Sequence, residues 1–167
     1  WHPDKAWQIN FTASTGFRSP NIDDVAKVFD SEPGNVVVPN PGLKPEFARN
    51  VETGVNYHSN KWKLELSAFY TNLKDAMVRR NFQLNGRDSI VYDGILSEVE
   101  ALVNAHSANI YGGSFRSDYK FTSVLSSESE LTYAWGKDSD GLPMRHVPPV
   151  FGRSHLKFEN ESFQLNF

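Results

Sequence analysis

Apolar and polar residues alternate along most of this chain. From Lys5 to Ser14, Trp7, Ile9, Phe11 and Ala13 fall on one face, and Gln8, Asn10, Thr12 and Ser14 on the other. A period of two is the mark of a β-strand. Val51 to Tyr57 repeats it, with Val51, Thr53, Val55 and Tyr57 against Glu52, Gly54 and Asn56. A tight turn, His58-Ser59-Asn60-Lys61, follows. Trp62 to Tyr70 then sets Trp62, Leu64, Leu66, Ala68 and Tyr70 opposite Lys63, Glu65 and Ser67. Ala108 to Phe121 is a long run, with Tyr111, Phe115, Tyr119 and Phe121 on one face and Arg116, Asp118 and Lys120 on the other. Leu131, Tyr133 and Trp135 mark a further strand, Leu156 and Phe158 the next, and Phe163, Leu165 and Phe167 the last. The pattern predicts an all-β chain, an antiparallel meander of about seven strands.

The connections carry as much information as the strands. Residues 17–46 are too rich in Pro, Gly and acid to be strand, since proline lacks an N–H donor. Within them, Asn21 to Phe29 has apolar residues at helical spacing and acid in its first turn, which predicts a short helix. Asp75 to Val99 is irregular: Met77-Val78-Arg79-Arg80 prolongs the preceding strand, and Asn85-Gly86 is a turn signal. Ser97-Glu98-Val99-Glu100 fits a capping box, so a short helix to about Asn104 competes with an early strand start. Residues 142–151 hold Pro143, Pro148 and Pro149 and read as another loop; Asn160-Glu161-Ser162 reads as a turn. Connections near 58–61, 122–128 and 160–162 are therefore short, and those near 17–46, 75–103 and 137–151 long. Strict alternation of short and long connections is the layout of a transmembrane β-barrel. Tyr57, Trp62, Phe121, Phe158 and Phe163 flank the short turns, as one interfacial girdle would; Tyr70, Tyr133 and Trp135 suit the other. Alternation by itself favours a soluble β-sandwich, whose half-buried strands look the same. Connection lengths and a strand as long as 108–121 favour the barrel.

Composition narrows the field further. The 167 residues carry net charge −3 and no basic run, so nothing suggests nucleic acid. The 12 Phe, 6 Tyr and 4 Trp suit a packed β-domain or a girdled barrel. With no cysteine, disulfides and thiolate metal sites are excluded. No run reaches the roughly 18 apolar residues of a membrane helix, which leaves a barrel open. The chain opens on Trp1 without a signal segment, and is expected to be a mature chain or a piece of a longer one.

Two boxes bracket the first long loop: Phe17-Arg18-Ser19-Pro20 and Asn40-Pro41-Gly42-Leu43-Lys44-Pro45-Glu46. Their wording and spacing resemble the Phe-Arg-Ala-Pro and Asn-Pro-x-Leu-Lys-Pro-Glu boxes of TonB-dependent outer-membrane receptors. The residues matched are Phe17, Arg18, Pro20, Asn40, Pro41, Leu43, Lys44, Pro45 and Glu46. Asn50-Val51-Glu52-Thr53-Gly54-Val55, Asn109-Ile110-Tyr111-Gly112-Gly113, Gly141-Leu142-Pro143 and His146-Val147-Pro148-Pro149 are similar to later barrel segments of that family. Ser19, Gly42 and Ser114 depart from it, the last standing where a family Glu is expected. The resemblance implies a segment of a large transmembrane barrel of about 22 strands. It implies a single partial barrel domain over 1–167, without the plug, in a Gram-negative outer membrane. It implies import of a scarce nutrient, such as a siderophore-like iron chelate, driven through TonB, with lipid, plug, TonB and a small ligand as partners. The alternatives are a soluble carbohydrate-binding sandwich and a passive or structural barrel. Open sheet edges are expected to invite self-association.

Candidate sites follow. Arg79, Arg80, Arg145 and His146 form a basic set on predicted outer loops, suited to an anionic ligand; scattered surface charge is the default reading. Arg18 is expected to bond carbonyls or a carboxylate such as Glu46, because its fork suits two acceptors. Residues 30–38 are expected to be the loop's mobile part, with few packed side chains. Glu52, Glu65, Arg116, Asp118 and Lys120 fit a wet lumen or a solvated face equally. Asp138-Ser139-Asp140-Gly141 resembles the start of a calcium loop, but its twelfth position is Pro149 and not Glu, so no metal is expected. Haem-importing members of the family place a His between the boxes, and residues 21–39 contain none. No catalytic arrangement has positional support, so neither an enzyme nor a cofactor is expected.

Overall fold

The computed structural model describes residues 1–160 and 164–166. Its wall consists of β1 (Trp7–Arg18), β4 (Glu46–His58), β5 (Trp62–Asn81), β7 (Ile95–Lys120), β8 (Leu125–Asp138), β9 (Phe151–Glu159) and β10 (Gln164–Asn166). These seven are antiparallel neighbours in chain order. The connections carry a helix α1 (Ile22–Ala26) and three small strands, β2 (Phe29–Glu32), β3 (Asn35–Val37) and β6 (Ser89–Tyr92). Of the expected last turn and strand, Glu161, Ser162, Phe163 and Phe167 lie outside the described residues.

Register assigns the two faces, because directly opposed residues share one. Trp7 opposes Tyr57, and Tyr57 opposes Leu64. Val55 opposes Leu66, Leu66 opposes Phe115, and Phe115 opposes Leu131. Trp62 opposes Tyr119, and Phe158 opposes Leu125. Trp7, Phe11, Tyr57, Trp62, Leu64, Leu66, Phe115, Tyr119, Tyr133 and Phe158 thus all lie on one face. Near the short turns their rings touch in sequence, from Trp7 to Tyr57 (4.8 Å), Trp62 (6.2 Å) and Tyr119 (6.2 Å), then Phe121 (5.0 Å). Towards the long connections a second row forms where Tyr111 opposes both Tyr70 and Trp135. The other face is polar. Glu65, Arg116, Glu130 and Arg153 stand in one row across four strands. Arg153 Nε binds Glu130 at 2.7 Å, and Lys157 binds Glu128. Phe69 is an aromatic on this face, and it lies across Gly112: a Cβ there would stand 2.8 Å from the Phe69 ring and 2.3 Å from the Tyr133 carbonyl oxygen.

Several boundaries differ from the sequence reading. β1 runs on through Phe17 and Arg18, so the first box ends a strand instead of opening a loop. The alternative helix near Ser97 does not form: residues 95–104 are strand, paired with β5 and β6. Pairing on two sides outweighs the local capping signal. Asp93 (φ 48°) and Gly94 (φ 80°) supply the left-handed pair that a two-residue hairpin turn requires, which sets the register of β6 on β7. β7 has 26 residues, well over the roughly 9–11 that a membrane strand needs. Its first half therefore stands beyond the girdled zone.

There the alternation breaks. Asp75 has φ 54°, and Ala76, Met77 and Val78 are buried in succession, as are Val99, Glu100 and Ala101. Successive strand residues point to opposite faces, so here the sheet is covered on both. Residues 30–38 provide part of the cover, contrary to the expectation of few packed side chains. β2 and β3 form a hairpin, and β3 pairs in parallel with β7, Val36 opposite Val99. Val36, Val37 and Val38 are 0%, 4% and 1% exposed. Burying three branched side chains outweighs the flexibility of the Pro33-Gly34 turn between the strands.

Candidate functional site

The two boxes are tied together through α1. Arg18 Nη2 donates to both Asp24 carboxylate oxygens, at 2.9 and 3.2 Å. Asp24 is the expected partner type but not the expected residue. Glu46, opposite Arg18 in register, instead accepts the Met77 N–H at 2.8 Å. Asn21 caps α1: its side chain accepts the Asp24 N–H (2.9 Å) while the Asp24 carboxylate accepts the Asn21 N–H (3.0 Å). The Asp24 carbonyl then accepts the Asn40 N–H at 3.3 Å. Asn40 Nδ2 donates to the Leu102 carbonyl on β7 at 2.8 Å, and its Oδ1 accepts the Gly42 N–H. Pro20 and Leu43 are half-buried, whereas Pro41, Lys44 and Pro45 are exposed. Phe17 stacks obliquely on Phe47 at 6.4 Å.

Asn104 fixes the second box. Its Oδ1 accepts the Lys44 N–H (2.8 Å), and its Nδ2 donates to the carbonyls of Lys44 (2.9 Å) and Asp75 (2.7 Å). Nothing in the sequence marks this asparagine, because its partners are backbone groups 60 and 29 residues away in the chain. Asn104→Ala is expected to loosen residues 40–45 by about 2 kcal/mol, at roughly 1 kcal/mol per lost hydrogen bond less partial rehydration. Limited proteolysis of the full-length protein checks this, as faster cleavage in 40–45 with the wall intact.

The basic set divides. Arg80 binds the Asp138 carboxylate, whose side chain is only 1% exposed, and approaches Asp140 at 3.5 Å. Asp138 Oδ1 also accepts the N–H groups of Asp140 and Leu142, both at 3.0 Å, which folds the β8–β9 connection back on itself. That connection packs over Gly136, where a Cβ would meet Met144 and Val147 at 3.1 Å each. Asp138 is thus a clasp that holds this loop to β5. Asp138 lies three residues past Trp135, outside the girdled zone. Burial pushes its carboxyl up, but the Arg80 bond and the backbone donors of Leu142 and Asp140 outweigh burial and hold it below the usual carboxylate range. A depressed value in the fold means that the stabilisation is complete above the ordinary carboxylate pKa and is lost as pH falls through the folded value. The 139–147 segment should therefore become protease-sensitive only in acid, and Asp138→Asn should remove that dependence.

Arg79 and Arg145 share a different acid. Arg79 Nη1 lies 3.8 Å from Glu100 Oε2, and Arg145 Nη2 lies 3.8 Å from Glu100 Oε1. Neither distance is a hydrogen bond. Glu100 is 9% exposed, and its Oε2 is buried without a hydrogen-bond partner. Arg145 is half-exposed, and His146 beside it holds φ 64°. Sequence reasoning missed Glu100 because the capping-box pattern claimed it.

The comparisons with known proteins can now be set beside this geometry. A family model described as TonB dependent receptor-like, beta-barrel matches residues 1–166. The iron-regulated outer membrane virulence protein of Vibrio cholerae (strain O395) is 31% identical over 165 residues, covering 95% of this chain and 25% of that protein. Hemoglobin-binding protein A of Haemophilus influenzae is 26% identical over 183 residues, covering 99% and 17%. Among solved structures, the siderophore receptor PirA from Acinetobacter baumannii superposes with TM-score 0.71 at 19% identity, over 99% of this chain and 26% of that one. The copper transporter OprC gives TM-score 0.73 at 20% identity, over 96% and 23%. Both structural likenesses show the fold. The chain spans about a quarter or less of the length of each of these proteins.

Proposed function

Because the chain belongs to the TonB-dependent receptor β-barrel family, we propose that it is part of the wall and outer loops of a receptor importing an iron-bearing nutrient. Receptors of this family are proteins of the Gram-negative outer membrane, and they are transporters, not enzymes. The observation that carries the reading is the wall itself. Seven antiparallel strands in chain order present one apolar face with two aromatic rows and one charged face. That is the arrangement for lipid outside and a wet lumen inside. A single sheet of this kind does not enclose the core that a soluble sandwich needs.

The reading requires a plug within the barrel, TonB to drive transport, and further wall strands pairing with the free edges of β1 and β10; with edges open, the isolated chain should self-associate. The boxes from Phe17 to Pro20 and Asn40 to Glu46 act as anchors that fold the first outer loop onto β7. The set Arg79, Arg80, Arg145 and His146 faces the ligand's approach. A siderophore-like iron chelate fits best as cargo. Relatives named for haemoglobin keep haem iron in view, although residues 21–39 hold no histidine.

The test is growth under iron limitation, with the full-length receptor as the sole iron receptor of its host. Growth on ferric chelates or haemin should require both the receptor and TonB. Growth that persists without TonB would make the protein a passive barrel, and growth indifferent to the receptor would remove the import reading.

A further inference from the structure

Of the charged clusters in the outer part of the molecule, one is left electrically and geometrically incomplete. Arg80 is consumed by Asp138 and Asp140. The other two arginines share a single carboxylate, so Arg79, Arg145 and Glu100 together carry a net charge of +1. Both guanidiniums stop 3.8 Å short of it. A buried carboxylate oxygen without a donor is rare in native proteins and demands an explanation. Here two donors stand within reach and do not close.

Their backbones explain why. Glu100 is fixed on both edges, opposite Asn81 on β5 and Val37 on β3, and its carbonyl accepts the Val38 N–H at 2.8 Å. Arg79 is fixed opposite Leu102. Arg145 stands on the β8–β9 connection, next to Met144, which packs over Gly136, and His146, which is held in the left-handed region. The three groups are therefore presented by separate, anchored segments. Arg145, the half-exposed member, is the side from which a ligand enters.

We propose that Arg79 and Arg145 are the anion-recognition pair of this receptor and that Glu100 is their resident counter-anion. This rests on the import reading above and narrows its cargo to chelates presenting a carboxylate or catecholate oxygen. A guanidinium fork binds such oxygens by paired, charge-assisted hydrogen bonds, and those forks are not spent on Glu100. Glu100 keeps the two cations together while no ligand is present, and it competes with the ligand's charge when one arrives. It tunes affinity without touching iron.

The experiment uses purified full-length receptor and fluorescence titration with three probes: a trianionic ferric tris-catecholate, haemin with its propionates, and a neutral ferric tris-hydroxamate. The wild type should prefer an anionic probe. Arg145→Ala should weaken that probe at least about tenfold, the scale of one charge-assisted hydrogen bond. Arg145→Lys should restore part of the loss, and the neutral probe should not respond. Glu100→Gln should tighten the anionic probe and leave the neutral one unchanged. An anionic affinity within about twofold of wild type in Arg145→Ala overturns the proposal, and so does a wild type that takes only the neutral probe. If Glu100→Gln fails to insert, the Arg145 pair of variants still decides. Failure of the import reading looks different: no probe binds and no ferric source supports TonB-dependent growth.

Discussion

Gly112→Val should abolish assembly of the wall. A Cβ at this position would lie 2.3 Å from the Tyr133 carbonyl oxygen and 2.8 and 2.9 Å from two Phe69 ring carbons. The carbonyl belongs to the neighbouring strand, so relief requires β7 and β8 to part. The ring lies across this glycine on the polar face, and it would have to leave as well. Overpacking usually costs about 1–3 kcal/mol, but here backbone must move, and the expected cost is above about 4 kcal/mol. The full-length receptor should lose its heat-modifiable folded band and fail to insert. Gly16→Val is the matched control. Nothing lies within 4 Å of a Cβ there, and insertion should be normal. Normal insertion of Gly112→Val would mean that the β7–β8 spacing is wider than described.

The second large effect is expected at Val36. It is 0% exposed, and it packs with Val38, Val99 and Ala101 against Phe82, Leu84, Ile90 and Tyr92. An aspartate there would be buried among these apolar side chains. The cost is several kcal/mol, more than a three-residue parallel pairing can supply. Val36→Asp should release the β2–β3 hairpin, leaving the receptor inserted but cleavable within 28–38. Ligand uptake should fall with it, because Val38 and Asn40 hold the same loop to β7. Asp30→Ala, at an exposed position of the same hairpin, should change neither property. By contrast Arg18→Ala should cost less than the anchoring role of its box suggests. Its side chain is 48% exposed, and exposed ion pairs contribute about 0–1 kcal/mol.

The wall was legible because each membrane strand must segregate its side chains, so a period of two survives in Trp62 to Tyr70 and in Ala108 to Phe121. The outer region was less legible for the opposite reason. Where loops cover both faces, alternation has no cause, and Ala76-Met77-Val78 reads as an irregular apolar patch. Ser97 to Glu100 imitates a helix start because capping chemistry is local, whereas the pairings that overrule it come from β3, β5 and β6. Val36-Val37-Val38 did carry a usable sign, a continuous apolar run of the kind that marks a strand buried on both sides. The neighbouring Pro33-Gly34 carries the opposite sign, that of a turn. The basic set was found by residue type alone. Its division was not, since Asp138, Asp140 and Glu100 meet their arginines only through the folded loops.

The parallel pairing of β3 with β7 has a consequence for the order of assembly. Every wall contact joins strands consecutive in the wall and closes a connection that is local in the chain. The partnership of Val36 with Val99 instead joins segments separated in the chain by β4, β5 and β6. Loop-closure entropy delays such distant contacts relative to hairpins. The wall should therefore zip hairpin by hairpin, and the outer cap should lock afterwards. In pulsed hydrogen exchange during refolding, amides of 46–73 would become protected before those of 35–38. A nascent receptor thus passes through a stage in which its wall is sealed and its outer cap still hangs open.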